Sequence, residues 1–532
     1  MGIVDYSYQL GKAVLEDRSD QERKAKGQFL TPPPLARFMA SQLEPLPENA
    51  QILDPAAGSG VLLCAIIEQA VQNKQPRTVI IHAYEIDQEL AKTARISLQH
   101  ATAWAESQGI LIRANVYQQD FILTYARMLR PTLFSLSQAQ LERYDGIIAN
   151  PPYFKLNQGD PRARAVTGLL TGQTNIYALF MASCARLISR QGKMCFLVPR
   201  SFCSGAYFKK FRRDLLDKVL PIQIHLFDAR DEAFRGDSVL QENLVITMCR
   251  KSPETNSTHS VTISTSRGIN DIACPTSRHK INISKFVKDL GGTLYFRLPA
   301  SRVQEQILDI VDGWPGSLEK FGFHISTGPV VAFRARSFLC SEAFVNVGEA
   351  VPLYWMNNVK PYFLVWPTSN GNKPQGIRRE AEAHSLLVPN ANYVFLRRFS
   401  AKEEPRRLIA APFLRINFPY DKVGLENHLN YIYGNEGELS EAETLGLSAL
   451  LGSSLMDHYF RLTNGNTQVN ATELRALPLP PLETIVKIGQ QVPKCTMDGE
   501  LDVINRKVYE VLKQEGYLPK DFPILSYGGV VN

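Results

Sequence analysis

The tetrapeptide Asn150-Pro151-Pro152-Tyr153, followed by Phe154, is the part of this 532-residue chain whose residue types most directly suggest chemistry. Two successive prolines fix φ and hold the backbone extended, so the Asn150 side-chain oxygen and the Pro151 carbonyl can both point outward as acceptors. Two such acceptors grip the two hydrogens of one amino group. In an aromatic amine such as adenine N6 the lone pair is drained into the ring, and paired acceptors would pull the nitrogen toward tetrahedral geometry and free that pair to attack an electrophile. Tyr153 offers a face on which a base could stack after leaving its duplex. The structural alternative is a rigid strand-to-loop turn, but a chance match in a chain this long has odds on the order of a fraction of a percent.

An electrophile needs a carrier, and a second motif has the form of a nucleoside site. Asp54-Pro55-Ala56-Ala57-Gly58-Ser59-Gly60 follows an apolar run and precedes the helical run 61–70. Gly58 and Gly60 let the turn pass close beneath a ligand, while the strand end and helix start expose backbone donors. Such glycine turns also occur as purely structural ones. The acid that follows favours the ligand reading: Glu85, with Ile86 beside it, ends the next apolar run, where a carboxylate accepts both hydroxyl protons of a ribose. Asp120 and Phe121 follow a third run, placing a carboxylate for an adenine amino group and a ring for its face.

These residues need a scaffold that brings strand ends together. Short apolar runs at 51–54, 79–85, 144–149, 194–198, 222–227 and 244–249 alternate with helical patterns, as in a doubly wound, mostly parallel α/β sheet. Ile176, Leu179, Phe180, Leu187 and Ile188 recur at helical spacing and are expected to cover one sheet face. The Ser/Thr-rich segment 252–266 reads as a linker, dividing a catalytic domain at 1–251 from a mixed α+β domain at 267–532. In the latter, 362–366 and 393–395 read as strands and 441–462 as a helix.

Composition narrows the class. With 44% hydrophobic and 21% charged residues, the chain fits a globular protein with a buried core, and no run of roughly 18 apolar residues predicts a membrane span. The N-terminal residues are charged, unlike a signal peptide, so a cytoplasmic protein is expected. A net charge of +7 is compatible with a polyanionic partner without proving one. Eight cysteines without a C-x-x-C pair suggest reduced, buried thiols.

The order of motifs, with Gly27-Gln28-Phe29-Leu30-Thr31-Pro32 before the glycine turn and the tetrapeptide after it, resembles the gamma class of amino-methyltransferases, the TaqI-like adenine-N6 DNA methyltransferases of type II restriction-modification systems. The resemblance implies a class I S-adenosylmethionine-dependent fold with a C-terminal target-recognition domain. Thr31 and Pro32 would close over S-adenosylmethionine, Asp54 and Ala56 would line its methionine end, and Pro55, Ala57, Gly58, Gly60 and Pro152 would complete the turn's contacts. Glu85 would hold the ribose, Ile86 would also contact the cofactor, and Asp120 and Phe121 would hold the adenine and cover its ring. Asn150, Pro151, Pro152 and Tyr153 would hold the target base, with Phe234 as the candidate second stacking ring. A looser likeness, through Ser326-Thr327-Gly328-Pro329 and 397–400, points to longer type II enzymes of the PstI or XhoI kind.

The implied reaction is direct in-line transfer to adenine N6 in a specific site of double-stranded DNA, by a monomer working beside a separate restriction endonuclease. Alignment does the work, so neither a metal nor a covalent intermediate is expected. Arg378, Arg379, Arg397, Arg398, Asn466 and Gln468 are the candidate DNA contacts, since arginines suit phosphates and guanine edges and amides suit adenine. Alternatives are an RNA or protein-glutamine methyltransferase, because the tetrapeptide grips any planar amide or amine, and an inactive DNA-binding specificity subunit.

Overall fold

The computed structural model describes residues 1–129, 143–157, 159–165, 175–227, 243–252, 259–290, 292–368, 373–400, 404–435, 438–464, 469–494 and 500–527. The chain divides into two compact units, Met1–Ala300 and Ser301–Asn532.

The first unit opens with helices α1 (Ile3–Glu16), α2 (Asp20–Lys26) and α3 (Pro33–Ser41), then runs β1 (Asn49–Asp54), α4 (Val61–Asn73), β2 (Thr78–Tyr84), α5 (Gln88–Ser107), β3 (Leu111–Tyr117), α6 (Phe121–Leu129) and β4 (Tyr144–Ala149). It continues through α7 (Pro161–Ala165), α8 (Ile176–Cys184), β5 (Ile188–Pro199), α9 (Lys209–Lys218), β6 (Val219–Phe227), β7 (Asn243–Arg250), β8 (Ser260–Ser266) and β9 (Ser277–Asn282). These nine strands form one sheet in the order β3-β2-β1-β4-β5-β7-β6-β8-β9, and Val287–Leu290 and Thr293–Phe296 form a separate antiparallel pair. From β3 to β5 all neighbours are parallel, while β7 is antiparallel to both β5 and β6. The result is a Rossmann-like doubly wound sheet with an antiparallel flank.

Burial explains the strand sequences. A parallel sheet covered on both faces needs apolar residues on both, and Ile147, Ile148 and Ala149 of β4 are fully buried on successive positions. Cutting such an isoleucine back to alanine would cost about 2–5 kcal/mol. Gly146 opens room beside them: a Cβ there would stand 2.7 Å from Ile52 Cδ1 and 3.1 Å from Leu43 Cδ1. This pins β4 against β1, with Ile52 opposite Gly146 and Leu53 opposite Ile147. The strand order, not the chain direction, reverses between β1 and β4, which are parallel; this is the topological switch point beyond whose strand ends open α/β sheets hold their ligands.

Three expectations need correction. The boundary lies at 300/301, because Ser260–Ser266 is not linker but strand β8, pairing in parallel with β6 and antiparallel with β9. Its Ser and Thr hydroxyls are paired inside the sheet, as Ser264 and Ser266 are on His225, so a polar composition there does not mean a loop. Leu187 and Ile188 fall beyond α8, in the turn and the start of β5. The expected helix over 441–462 is two helices, Glu441–Leu451 and Ser454–Thr463, parted at Gly452, with Ser453 capping the second through Met456 N.

The second unit is mixed α+β. A sheet of Phe323–Thr327, Leu429–Gly434, Tyr393–Arg397 and Ala410–Phe413 packs on the helix Glu441–Leu451, which in turn crosses Leu482–Gln491. That crossing is close: a Cβ on Gly446 would lie 1.9 Å from Ile485 O, and one on Gly489 1.8 Å from Ala442 O. The expected strand at 362–366 is short, Phe363–Leu364. Among the described residues no helix is long and apolar enough to cross a membrane.

Candidate active site

At the ends of β1, β2 and β4 lies a cavity of ≈ 520 Å³, a nucleoside-scale volume. Its lining includes Pro55, Ala56 and Gly58 of the glycine turn, Glu85 and Ile86 after β2, Asp120 and Phe121 after β3, and Asn150, Pro152 and Phe154 after β4. Four strand ends, separated by up to about a hundred residues, thus meet at one opening.

The glycine turn is built from backbone bonds. Ala57 N donates to Tyr84 O at 2.8 Å, tying the turn to β2. Gly58 and Gly60 have φ of +56° and +90°, the left-handed region where a side chain is strained, and Gly60 caps α4. Glu85 closes the same turn: Oε2 accepts from Gly58 N and Oε1 from Asp87 N, each at 2.8 Å. Both carboxylate oxygens keep lone pairs for further donors. Burial pushes the Glu85 pKa up, against the pull of those two N–H groups.

Asp54 sits beneath the turn rather than in the cavity wall. It is fully buried, one oxygen accepts from Ala56 N at 3.0 Å, and the other has no hydrogen-bond partner. Burial, reinforced by nearby Glu85, pushes its pKa up to about 8. An orphaned buried acceptor is costly. Ile86, by contrast, is 63% exposed at the cavity rim, an apolar side chain the core does not use. Asp120 accepts from Leu123 N at 3.0 Å, and Phe121 is buried in a stacked pair with Phe180, ring centres 5.6 Å apart.

Asn150 is held from the N-terminal motif. Its Nδ2 donates to Phe29 O at 3.0 Å and to Thr31 Oγ1 at 3.1 Å, which occupies both amide hydrogens and fixes which end is oxygen. Thr31 and Pro32 therefore differ from the expectation that they close over a cofactor. Thr31 is buried and serves Asn150, Pro32 caps α3, and residues 25–30 line the cavity instead. Gly27 (φ +64°) lies directly on the tetrapeptide, where a Cβ would meet Pro152 Cβ at 2.6 Å.

Tyr153 also departs from expectation. Its hydroxyl points to Asn150 Oδ1 at 2.6 Å and Leu197 O at 2.9 Å, and its ring meets Tyr177 edge-on, so neither it nor Pro151 is among the cavity-lining residues. One buried hydroxyl proton with two acceptors in reach explains the inward turn. Burial pushes the phenol's pKa well up, keeping it a donor. Phe154 lines the cavity in its place, with the Arg162 guanidinium 5.5 Å from its ring centre. Nothing in the sequence marked Arg162, Ile176 or Phe180 as lining residues, because they come from α7 and α8, outside every motif.

Residues 9–236 match the N-6 DNA Methylase family. The chain is 31% identical over 512 residues to the type II methyltransferase M.PstI of Providencia stuartii, covering 96% of each protein. The chain belongs to the type II N-6 DNA methyltransferases. The type II methyltransferase M.BsuBI of Bacillus subtilis is 32% identical over 511 residues, 96% of this chain and 97% of that one. A tRNA1(Val) (adenine(37)-N6)-methyltransferase of Cronobacter sakazakii is 30% identical over 171 residues, 31% of this chain and 57% of its own.

In this type II N-6 DNA methyltransferase the candidate DNA contacts fall unevenly. Phe234, Asn466 and Gln468 lie outside the described residues. Arg397 turns inward, donating from Nε to Val359 O at 2.7 Å, and burial lowers its pKa. Arg379 pairs with Asp421 at 2.8 Å, and Arg378 lies over the Phe344 ring at 4.6 Å. Arg398 donates to Asn427 O at 3.0 Å. Arg397 is thus an internal brace, its side chain largely buried between Val359 O and Glu404.

Proposed function

We propose that this chain transfers the methyl group of S-adenosylmethionine to N6 of an adenine in a specific duplex DNA sequence, protecting that sequence from a partner restriction endonuclease. The observation that carries the reading is the fixed carboxamide of Asn150 on the cavity that also holds Glu85 and Asp120.

The residues fit the cofactor. Glu85 has lone pairs left for ribose hydroxyls, Ile86 an unused apolar face for the adenine, and Asp54 an unpartnered oxygen beneath the turn where the methionine end would lie. When bound, S-adenosylmethionine supplies an activated methyl group on a sulfonium. The chain's own task is alignment. Asn150 Oδ1, held with its amide hydrogens committed elsewhere, accepts one N6 hydrogen, and the Pro151 carbonyl is the candidate for the other. The base would be reached by extrusion from the duplex, with Phe154, which lines the cavity, as its stacking face.

An RNA substrate is the second reading, favoured by the tRNA methyltransferase likeness, but that likeness covers 31% of the chain while the type II relatives match the second unit as well. Tritiated methyl transfer to duplex DNA, tRNA and protein distinguishes them. Label in DNA alone, at N6-methyladenine on digestion, is the expected result; label in RNA or protein alone would sink the DNA reading.

A further inference from the structure

One wall of the cavity, formed by Leu15 and residues 25–30, belongs to no strand of the sheet. Side chains hold it in place. Asp87, two residues beyond Glu85, accepts from Arg18 Nη1 at 2.8 Å on one oxygen and from Arg18 Nη2 at 2.9 Å on the other. Gln28 Nε2 donates to the same carboxylate at 3.1 Å, and Arg18 Nη1 reaches Gln28 Oε1 at 2.8 Å, so the three side chains close a ring. Lys26 Nζ stands 3.8 Å away, and Asp87 also caps α5 through Glu89 N and Leu90 N.

This is not an ordinary surface pair. The Arg18 and Asp87 side chains are 16% and 12% exposed, and the contact is bidentate, the geometry in which an ion pair in reduced solvent is strong and directional. Arg18 holds the Asp87 carboxyl well below the usual carboxylate range. The anchor end is rigid, since α1 is packed through Ile3, Val4 and Leu15, and Ser7 Oγ donates to Ser59 O inside the glycine turn. The other end carries function: Gly27 rests on Pro152, and Phe29 and Thr31 hold Asn150.

We propose that Arg18 is a positioning residue whose pair with Asp87, completed by Gln28, latches residues 25–31 across the cofactor cavity and limits how fast the cofactor leaves. A ligand lying between Glu85 and this wall escapes most readily by displacing the side not built on the sheet, and the latch spans that gap. The inference rests on the reading of the cavity as the cofactor site.

The test uses the full-length protein without DNA: dissociation of tritiated S-adenosylmethionine chased by excess unlabelled S-adenosylhomocysteine. Arg18→Met should release the cofactor about tenfold faster or more, as expected on losing a charge-assisted bidentate pair. Gln28→Leu should give a smaller increase, and Arg18→Lys should recover part of the loss by keeping the charge. In turnover, KM for the cofactor should rise more than kcat falls, and the thermal midpoint of the cofactor-free protein should move little. An unchanged release rate in Arg18→Met overturns the latch. Faster release with a collapsed thermal midpoint and no recovery in Arg18→Lys overturns it too, making Arg18 a strut of the fold. Failure of the wild-type protein to take up any cofactor would instead remove the reading of the cavity itself.

Discussion

Asn150 Nδ2 and Thr31 Oγ1 stand 3.1 Å apart across 119 residues of sequence. With Phe29 O taking the second amide hydrogen, the carboxamide of the tetrapeptide is oriented by the N-terminal motif and not by its own loop. Substituting Thr31 by Val keeps the shape and removes the acceptor. Losing one hydrogen bond worth about 1 kcal/mol should slow methyl transfer roughly five- to tenfold. Cofactor affinity, measured by equilibrium dialysis, should stay near wild type; unchanged turnover would remove Thr31 from the orienting network.

The Tyr153 hydroxyl lies 2.6 Å from the acceptor oxygen of the same amide. If it steadies Asn150 Oδ1, Tyr153→Phe, which keeps the ring, should still lose about 1 kcal/mol of transition-state stabilisation, several-fold in single-turnover rate. A Phe variant as fast as wild type, beside a slow Tyr153→Ala, would mean that only the ring matters.

Gly27 combines a φ of +64° with a Cβ position 2.6 Å from Pro152 Cβ. Alanine there strains the backbone by about 1–3 kcal/mol and pushes the segment off the tetrapeptide. Both cofactor binding and transfer should weaken, with the rest of the first unit still folded by circular dichroism. Wild-type binding by Gly27→Ala would show that this contact is dispensable.

Asp54 makes stability depend on pH. Its pKa is raised by burial from 3.8 to about 8, so the native state keeps a proton that the unfolded chain releases above pH 3.8. The group's contribution is fully present below pH 3.8 and is lost as pH rises toward 8. In the cofactor-free protein, urea unfolding at pH 5, 6.5 and 8 should show stability from this group falling with pH. Asp54→Asn should flatten the slope, and a slope left intact by that change would mean that other groups set it.

Much of the first unit was legible because its signals are local. The strand over residues 144–149 matched β4 end to end, since a strand buried on both faces writes a continuous apolar run. The glycine turn and Glu85 were equally plain, because a left-handed φ and a strand-end acid are properties of a few adjacent residues. Strand β8 was illegible for the opposite reason: its hydroxyls are satisfied by His225 on a strand forty residues away, and nothing nearby in sequence says so.

By itself, then, the amino-acid order determined which side chains could hold a nucleoside and an amine, and that strand ends must carry them. The tertiary structure alone decided that Thr31 braces Asn150 instead of covering a ligand, that Tyr153 turns inward, that Arg397 is internal, and that Arg18 meets Asp87. Each of these rests on a pairing of donors and acceptors dozens of residues apart, that of Tyr153 being its hydroxyl on Leu197 O. Such partners are chosen by how the sheet and its helices close in space, information that residue spacing along the chain does not contain.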